Sequence, residues 1–188
     1  MNTNRLSDTI SAALNAQITK EAYSSQFYLS YAAWAESQSL SGIAAFIFHH
    51  AEDERTHMLK IMKYILMRGS LVRLEAVPAP APHPESINDC FVKAFEHEVE
   101  KTQAVYAIVK MSFDESDWAT WNFIRWFIRD QVNEEMLAMN LMNKLKLAGD
   151  QKTLGKALYE LDKDLPGAGA EALAENGASL NGEKKRLE

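Results

Sequence analysis

The sequence predicts an all-α protein, a four-helix bundle with one long crossover between the second and third helices and a short fifth helix near the C-terminus. Apolar residues recur at intervals of three and four along most of the 188-residue chain, and no segment alternates as a β-strand does. Proline and glycine mark the breaks, because four of the five prolines fall in residues 77–84 and four of the eight glycines in residues 167–182. The predicted helices span residues 5–38, 41–68, 86–113, 117–147 and 151–163.

The connections limit the topology of the bundle. Short turns make the first two helices neighbours, and likewise the third and fourth, with Ser41 and Asp117 as predicted N-caps. Residues 69–85 are too rich in proline for a turn. At about 3.3 Å per residue they can span roughly 50 Å, more than the roughly 40 Å length of a helix of about 27 residues. The second and third helices can therefore run parallel, joined along the outside of the bundle.

Composition narrows the class of protein. The single cysteine, Cys90, excludes an internal disulfide and a CxxC metal or redox motif. A formal net charge of −6 argues against nucleic acid or an acidic membrane surface as a partner. Without a signal segment or a long apolar run, we expect a soluble cytoplasmic protein. Residues 1–164 would form the bundle with its short fifth helix, and residues 165–188 a flexible C-terminal tail.

Each of the four long helices carries one glutamate in the middle of its inward-facing stripe. These residues are Glu21, Glu54, Glu98 and Glu134. Helices of similar length in a bundle have their middles at one height, so four carboxylates are expected to share one buried layer. Burying an uncompensated charge costs several kcal/mol. Since no arginine or lysine falls on these stripes by helical phase, we expect two divalent metal ions to balance the layer.

A histidine at the right spacing supports this interpretation. His57 follows Glu54 by three residues, which separates the two by about 60° of helical phase and about 4.5 Å of rise. Carboxylates with an imidazole and no thiolate suit iron or manganese. An isolated Glu-x-x-His pair occurs by chance in many helices, and a mid-helix glutamate is more often solvated. The coincidence of four acids at matching depth with one histidine is what favours a metal centre.

Four segments resemble the site-bearing segments of bacterial non-haem ferritins. They read EAYSSQFY (21–28), HHAEDERTHM (49–58), HE (97–98) and RWFIRDQVNEE (125–135). The resemblance covers about residues 5–163 and implies a ferritin-like fold with a di-iron ferroxidase centre inside each subunit. It also implies a homo-oligomeric cage of 24 subunits without haem, in which Fe(II) is oxidised by O₂ and stored as a ferric oxide mineral.

The resemblance assigns roles residue by residue. Glu21 and His57 would bind the first iron, Glu54 would bridge, and Glu98 and Glu134 would hold the second. Three further residues match family positions at the centre: a glutamine near the first iron, Gln131, and the neighbouring aromatics Tyr28 and Trp126.

The chain departs from the family at a third iron site. The positions that carry further glutamates in such ferritins are here Asp53, Asp130 and Asn133. Aspartate is one methylene shorter and asparagine is a weak iron ligand, so we expect this site to be altered or weak.

Two other functions remain open. A di-iron carboxylate oxidase acting on an organic substrate would normally carry a second Glu-x-x-His, as bacterioferritins and rubrerythrins do, where this chain has Gln131-x-x-Glu134. A non-catalytic helical bundle would have no use for four acids in its core. Both are less well supported than iron oxidation and storage.

Overall fold

The computed structural model describes residues 3–147 and 155–165, and these residues contain helices and no strand. The four long helices are α1 (Asp8–Ser37), α2 (Ser41–Met67), α3 (Ile87–Asp114) and α4 (Trp118–Leu147). A fifth helix, α5, covers the described residues 155–165. The all-α prediction is confirmed, with helix ends within three residues of those expected for the long helices. Residues 151–154 of the predicted fifth helix lie outside the described residues. So does the predicted tail of residues 165–188, except for Leu165, which belongs to α5.

The helix starts show one correct and one wrong capping prediction. Asp117 caps α4, since its Oδ1 accepts a hydrogen bond from the Thr120 backbone N–H at 3.1 Å. Ser41 is not the N-cap of α2, because it is already the first helical residue and Leu40 stands at the cap position. The Ser41 hydroxyl instead donates to the Glu36 side chain across the turn.

The long connection between α2 and α3 lies against α1. The Asn15 side chain donates to the Leu71 carbonyl at 3.1 Å and accepts from the Arg73 backbone N–H at 2.6 Å. The connection leaves α2 through Gly69, whose φ of +73° suits glycine and where a Cβ would lie 2.3 Å from the Thr3 carbonyl oxygen. These contacts fix the start of the crossover on the bundle surface.

A polar layer divides the core into two hydrophobic clusters. One cluster includes Tyr31, Ile43 and Phe91, and the other includes Leu14 and Ile61. On each long helix the glutamate predicted to face inward falls, in sequence, between the residues of one cluster and those of the other. The apolar packing on both sides thereby holds the four helix middles at a common height.

Helix α5 docks on the start of α2. Leu161 and Leu165 join the first hydrophobic cluster, and Asp162 Oδ1 accepts from the Ile43 backbone N–H at 2.8 Å. A side chain at Gly42 would collide with the Asp162 carbonyl, so the close approach depends on glycine. Among the described residues, no helix is long and apolar enough to cross a membrane.

Candidate metal centre

Glu21 of α1 meets Glu54 and His57 of α2 in the middle of the bundle. One ligand atom from each of the three lies within 4.8 Å of the others, a grouping that could hold a metal ion. His57 Nδ1 is 3.7 Å from Glu21 Oε2 and 3.6 Å from Glu54 Oε2. All three side chains are buried, at 0%, 1% and 8% exposure respectively. The predicted pairing of Glu54 with His57 one turn apart is therefore present, and Glu21 completes it from the neighbouring helix.

The atoms that face one another in this group lack hydrogen-bond partners. Glu21 Oε2, Glu54 Oε2 and His57 Nδ1 are each buried and unsatisfied. Leaving buried polar atoms unpaired costs about 1–3 kcal/mol each, and more when they are charged. A divalent cation bound by these three atoms would satisfy all of them at once. The donor set, two carboxylates and an imidazole, fits iron by its chemistry.

The outward-facing atoms of Glu21 and His57 contact neighbouring side chains. The Gln17 amide donates to Glu21 Oε1, and His57 Nε2 lies 2.9 Å from Asp130 Oδ2 of α4. A carboxylate on the remote nitrogen of a metal-binding histidine orients the ring and makes it a stronger ligand. Asp130, a predicted residue of the third iron site, thus lies directly behind His57.

The charges of the layer shift the pKa values of two of the three ligands. Burial disfavours a charged imidazole, but the contacts of His57 with Asp130, Glu21 and Glu54 outweigh it and raise its pKa well above the usual range. Burial would raise the pKa of Glu21, yet the charge of Lys101 and the contact with His57 lower it overall. A metal ion that binds Nδ1 must therefore compete with a proton for that nitrogen.

The prediction that no basic residue reaches the acidic layer is wrong. Lys101 of α3 is 3% exposed, and its Nζ forms ion pairs with Glu54 Oε1 and, at 3.0 Å, with Glu98 Oε2. Lys101 follows Glu98 by three residues, so its Cα lies only about 60° away from the inward stripe, and its four-carbon stem covers the remaining distance. Burial alone would lower the pKa of Lys101, but Glu54, Glu98, Glu21 and Glu134 raise it well above normal. The layer thus contains an ammonium group of its own.

Glu98 is fully engaged by side chains of the chain itself. The Tyr28 hydroxyl donates to Glu98 Oε1, while Gln131 Nε2 donates to Oε2 at 3.0 Å, beside the Lys101 ammonium. Tyr28 and Gln131, predicted as neighbours of the centre, therefore contact Glu98 rather than the group formed by Glu21, Glu54 and His57.

Glu134 lies on the far side of the layer against His50. Its Oε2 is 3.3 Å from His50 Nδ1, and although burial disfavours the imidazolium, the Glu134 carboxylate raises the pKa of His50 to about 9. Glu98 and Glu134 stand outside the group of three that could hold a metal among the described residues.

The residues expected at a third iron site have separate surroundings. Asp53 pairs with His49 at 3.4 Å, and Asn133 is exposed on α4. Trp126 lies beside the centre as predicted, with its ring centroid 5.4 Å from that of His57. The Lys60 ammonium lies 3.6 Å from the centroid of the Trp126 ring. The weak or altered third site stays a prediction.

Comparison with known proteins identifies the relatives of this chain. Residues 11–148 match the ferritin family as a ferritin-like domain. A probable bacterial non-haem ferritin-like protein of Haemophilus influenzae is 36% identical over 160 residues, which are 85% of this chain and 95% of that protein. A bacterial non-haem ferritin of Campylobacter jejuni is 35% identical over 158 residues, 84% of this chain and 93% of the relative. Among solved structures, an open-pore ferritin from Archaeoglobus fulgidus superposes with a TM-score of 0.82 at 36% identity, covering 86% of this chain and 98% of that one.

Proposed function

The chain belongs to the ferritin family, and we propose that it is an iron-storage protein that oxidises Fe(II) with O₂ and keeps the ferric product. The observation that carries the proposal is the group of three unpartnered buried ligand atoms on Glu21, Glu54 and His57. Buried carboxylate and imidazole atoms without hydrogen-bond partners are costly for the fold, and Fe(II) bound as substrate would give all three a partner. Each Fe(II) that becomes Fe(III) gives one electron to O₂.

The proposal includes the finer assignments implied by the family resemblance. Glu21 and His57 bind the first iron, Glu54 bridges, and Glu98 and Glu134 provide a second position on the other side of Glu54. Gln17 and Asp130 keep the ligands oriented, and the proton displaced from His57 leaves as the metal binds. A cage of 24 subunits in the cytoplasm, with the ferric mineral inside, belongs to the same proposal.

An apolar cavity beside the centre favours O₂ over an organic substrate. It is lined by residues such as Phe46, Phe91 and Leu137 and reaches Glu98 and Glu134. Its volume of about 30 Å³ holds about two molecules the size of water, enough for O₂ and far too little for an organic substrate. The alternative of an oxidase acting on an organic compound is therefore less well supported by the shape of the centre.

The test is aerobic iron oxidation by the assembled, metal-free protein. Fe(II) is added in air-saturated buffer, ferric absorbance is followed in time, and the particles are imaged for a hollow shell and an iron core. We expect a fast phase and a soluble core with the parent protein, and a severe loss of the fast phase in Glu21→Ala and His57→Ala. Glu52→Ala, which removes an exposed acid from the same helix as His57, is the matched control and is expected to behave as the parent. Iron that precipitates at the same rate with and without the protein would refute the function.

A further inference from the structure

We infer that Lys101 occupies the second cation position of the centre, so that each resting chain binds one divalent metal ion tightly, at Glu21, Glu54 and His57. The inference rests on the proposed function, because it specifies how that centre takes up iron. It concerns the side of Glu54 that faces α3, where Lys101 lies between Glu54 and Glu98.

The two sides of Glu54 are unlike. On one side, Glu54 Oε2 faces Glu21 and His57 and has no hydrogen-bond partner. On the other side, Glu54 Oε1 forms an ion pair with Lys101, whose ammonium also contacts Glu98. One side of the bridging carboxylate therefore faces two further ligand atoms that lack hydrogen-bond partners, and the other side already holds an ammonium group.

The remaining acids of the second position are engaged as well. Glu98 accepts from Tyr28 on one oxygen and from Gln131 and Lys101 on the other. Glu134 lies against His50. A second metal ion would have to displace the Lys101 ammonium from two carboxylates in a buried layer, or bind close to it against its repulsion.

Charge balance points in the same direction, because Lys101 and, beside Glu134, His50 are basic groups of the chain itself. The four layer glutamates contribute four negative charges if ionised, and the expectation of two metal ions came from balancing them with no other cation. Lys101 neutralises part of that charge from within the chain and bridges the same two glutamates that the second ion would share. The chain thus needs fewer metal charges to stabilise the layer than its acids alone would demand.

The experiment is anaerobic equilibrium titration of the metal-free assembled protein with Fe(II), and in parallel with Zn(II), which has no redox chemistry. We expect the parent to bind one ion per chain tightly, with any second ion bound at least about tenfold more weakly because of the ammonium. Lys101→Met is expected to bind two ions per chain tightly, and Lys101→Arg, which keeps the charge, is expected to keep one.

Three controls separate the possible results. Lys101→Gln removes the charge but keeps a polar side chain, so it replaces the methionine variant if that variant does not assemble. Lys110→Met removes an exposed lysine of the same helix and is expected to leave one tight site. Glu21→Ala is expected to abolish the tight site of the parent.

Two tight and equal sites in the parent, or a single site retained in both Lys101→Met and Lys101→Gln, would overturn the inference and leave the proposed function standing. Absence of any tight site in the parent would overturn the proposed iron centre itself.

Discussion

Replacing Lys101 by methionine is expected to destabilise the metal-free protein substantially. The substitution keeps an unbranched apolar side chain as far as Cε but removes the ammonium between Glu54 and Glu98, which are both 1% exposed. Removing one partner of a buried ion pair leaves an uncompensated charge and costs about 3–5 kcal/mol.

The protein can limit this cost by keeping one acid protonated. An ordinary glutamate titrates near about 4.3, so holding one neutral at pH 7 costs about 3.7 kcal/mol, at about 1.36 kcal/mol per pH unit. The expected loss at pH 7 is therefore about 3–4 kcal/mol. For a chain of this size that corresponds to a fall in Tm of about 6–16 °C.

The loss is expected to depend on pH in a known direction. A carboxyl group whose folded-state pKa is raised destabilises the fold above its unfolded pKa and no longer does so below it. At pH 5 the same estimate gives about 1 kcal/mol, so the penalty shrinks as the solution becomes more acidic. The titratable groups that interact with the charge of residue 101 include Glu21, Glu54, Glu98, Glu134 and His97, which come from all four long helices.

Thermal unfolding of the metal-free protein, followed by circular dichroism at pH 7 and pH 5, measures both effects. Lys110→Met is the control, because Lys110 pairs with Asp114 on the surface of the same helix, with its side chain 75% exposed, and such pairs contribute about 0.5 kcal/mol. A Lys101→Met variant within about 1 kcal/mol of the parent at pH 7, or with an equal loss at both pH values, would refute the reasoning.

Three further outcomes are expected. Gly42→Ala places a Cβ 1.7 Å from the Asp162 carbonyl oxygen and is expected to lower the free energy of unfolding, measured by chemical denaturation, by about 1–3 kcal/mol. Gly155→Ala is the control: its Cβ would meet no neighbouring atom within 4 Å, so this variant is expected to be neutral or slightly stabilising. Asp130→Asn removes the carboxylate behind His57 and is expected to weaken the tight metal site by about 10–100-fold in anaerobic titration, and an unchanged affinity would show that Asp130 does not orient the ring. Burial and, less strongly, the charge of Asp89 raise the pKa of Cys90 to about 12, against a smaller opposing effect of Lys93. Alkylation by iodoacetamide at pH 8 is therefore expected to be slow in the folded protein and fast after denaturation, and equal rates would contradict the burial.

The sequence was sufficient to predict most of the fold because the helical signals are strong and local. Intervals of three and four, the proline-rich crossover and the Asp117 cap each depend on a few neighbouring residues. Ser41 failed as a cap because cap position depends on where the preceding turn ends, and here Leu40 rather than Ser41 stands at that point. The docking of α5 on Gly42 could not be predicted, since it joins residues 119 positions apart.

The candidate site was predicted in part for a related reason. Helical phase placed Glu21, Glu54 and His57 correctly, because their side chains are short and point where the backbone directs them. The same rule excluded Lys101 as lying off the stripe, although Glu98-x-x-Lys101 has the same spacing as Glu54-x-x-His57. A signal was therefore present in the sequence, and a long side chain at that offset reaches the layer as readily as a histidine does.

Lys101 also explains how an acidic layer can exist before iron arrives. Four glutamates brought together without a cation would repel one another, and the apo fold would bear the whole cost. An ammonium inside the layer stabilises the empty protein, but it does so from the position that a second metal ion would use. Apo stability and metal capacity are therefore expected to change in opposite directions when Lys101 is replaced. A simple packing defect would lower stability without adding a metal site, so the two measurements together distinguish a charge that substitutes for a metal ion from a lysine that only fills space.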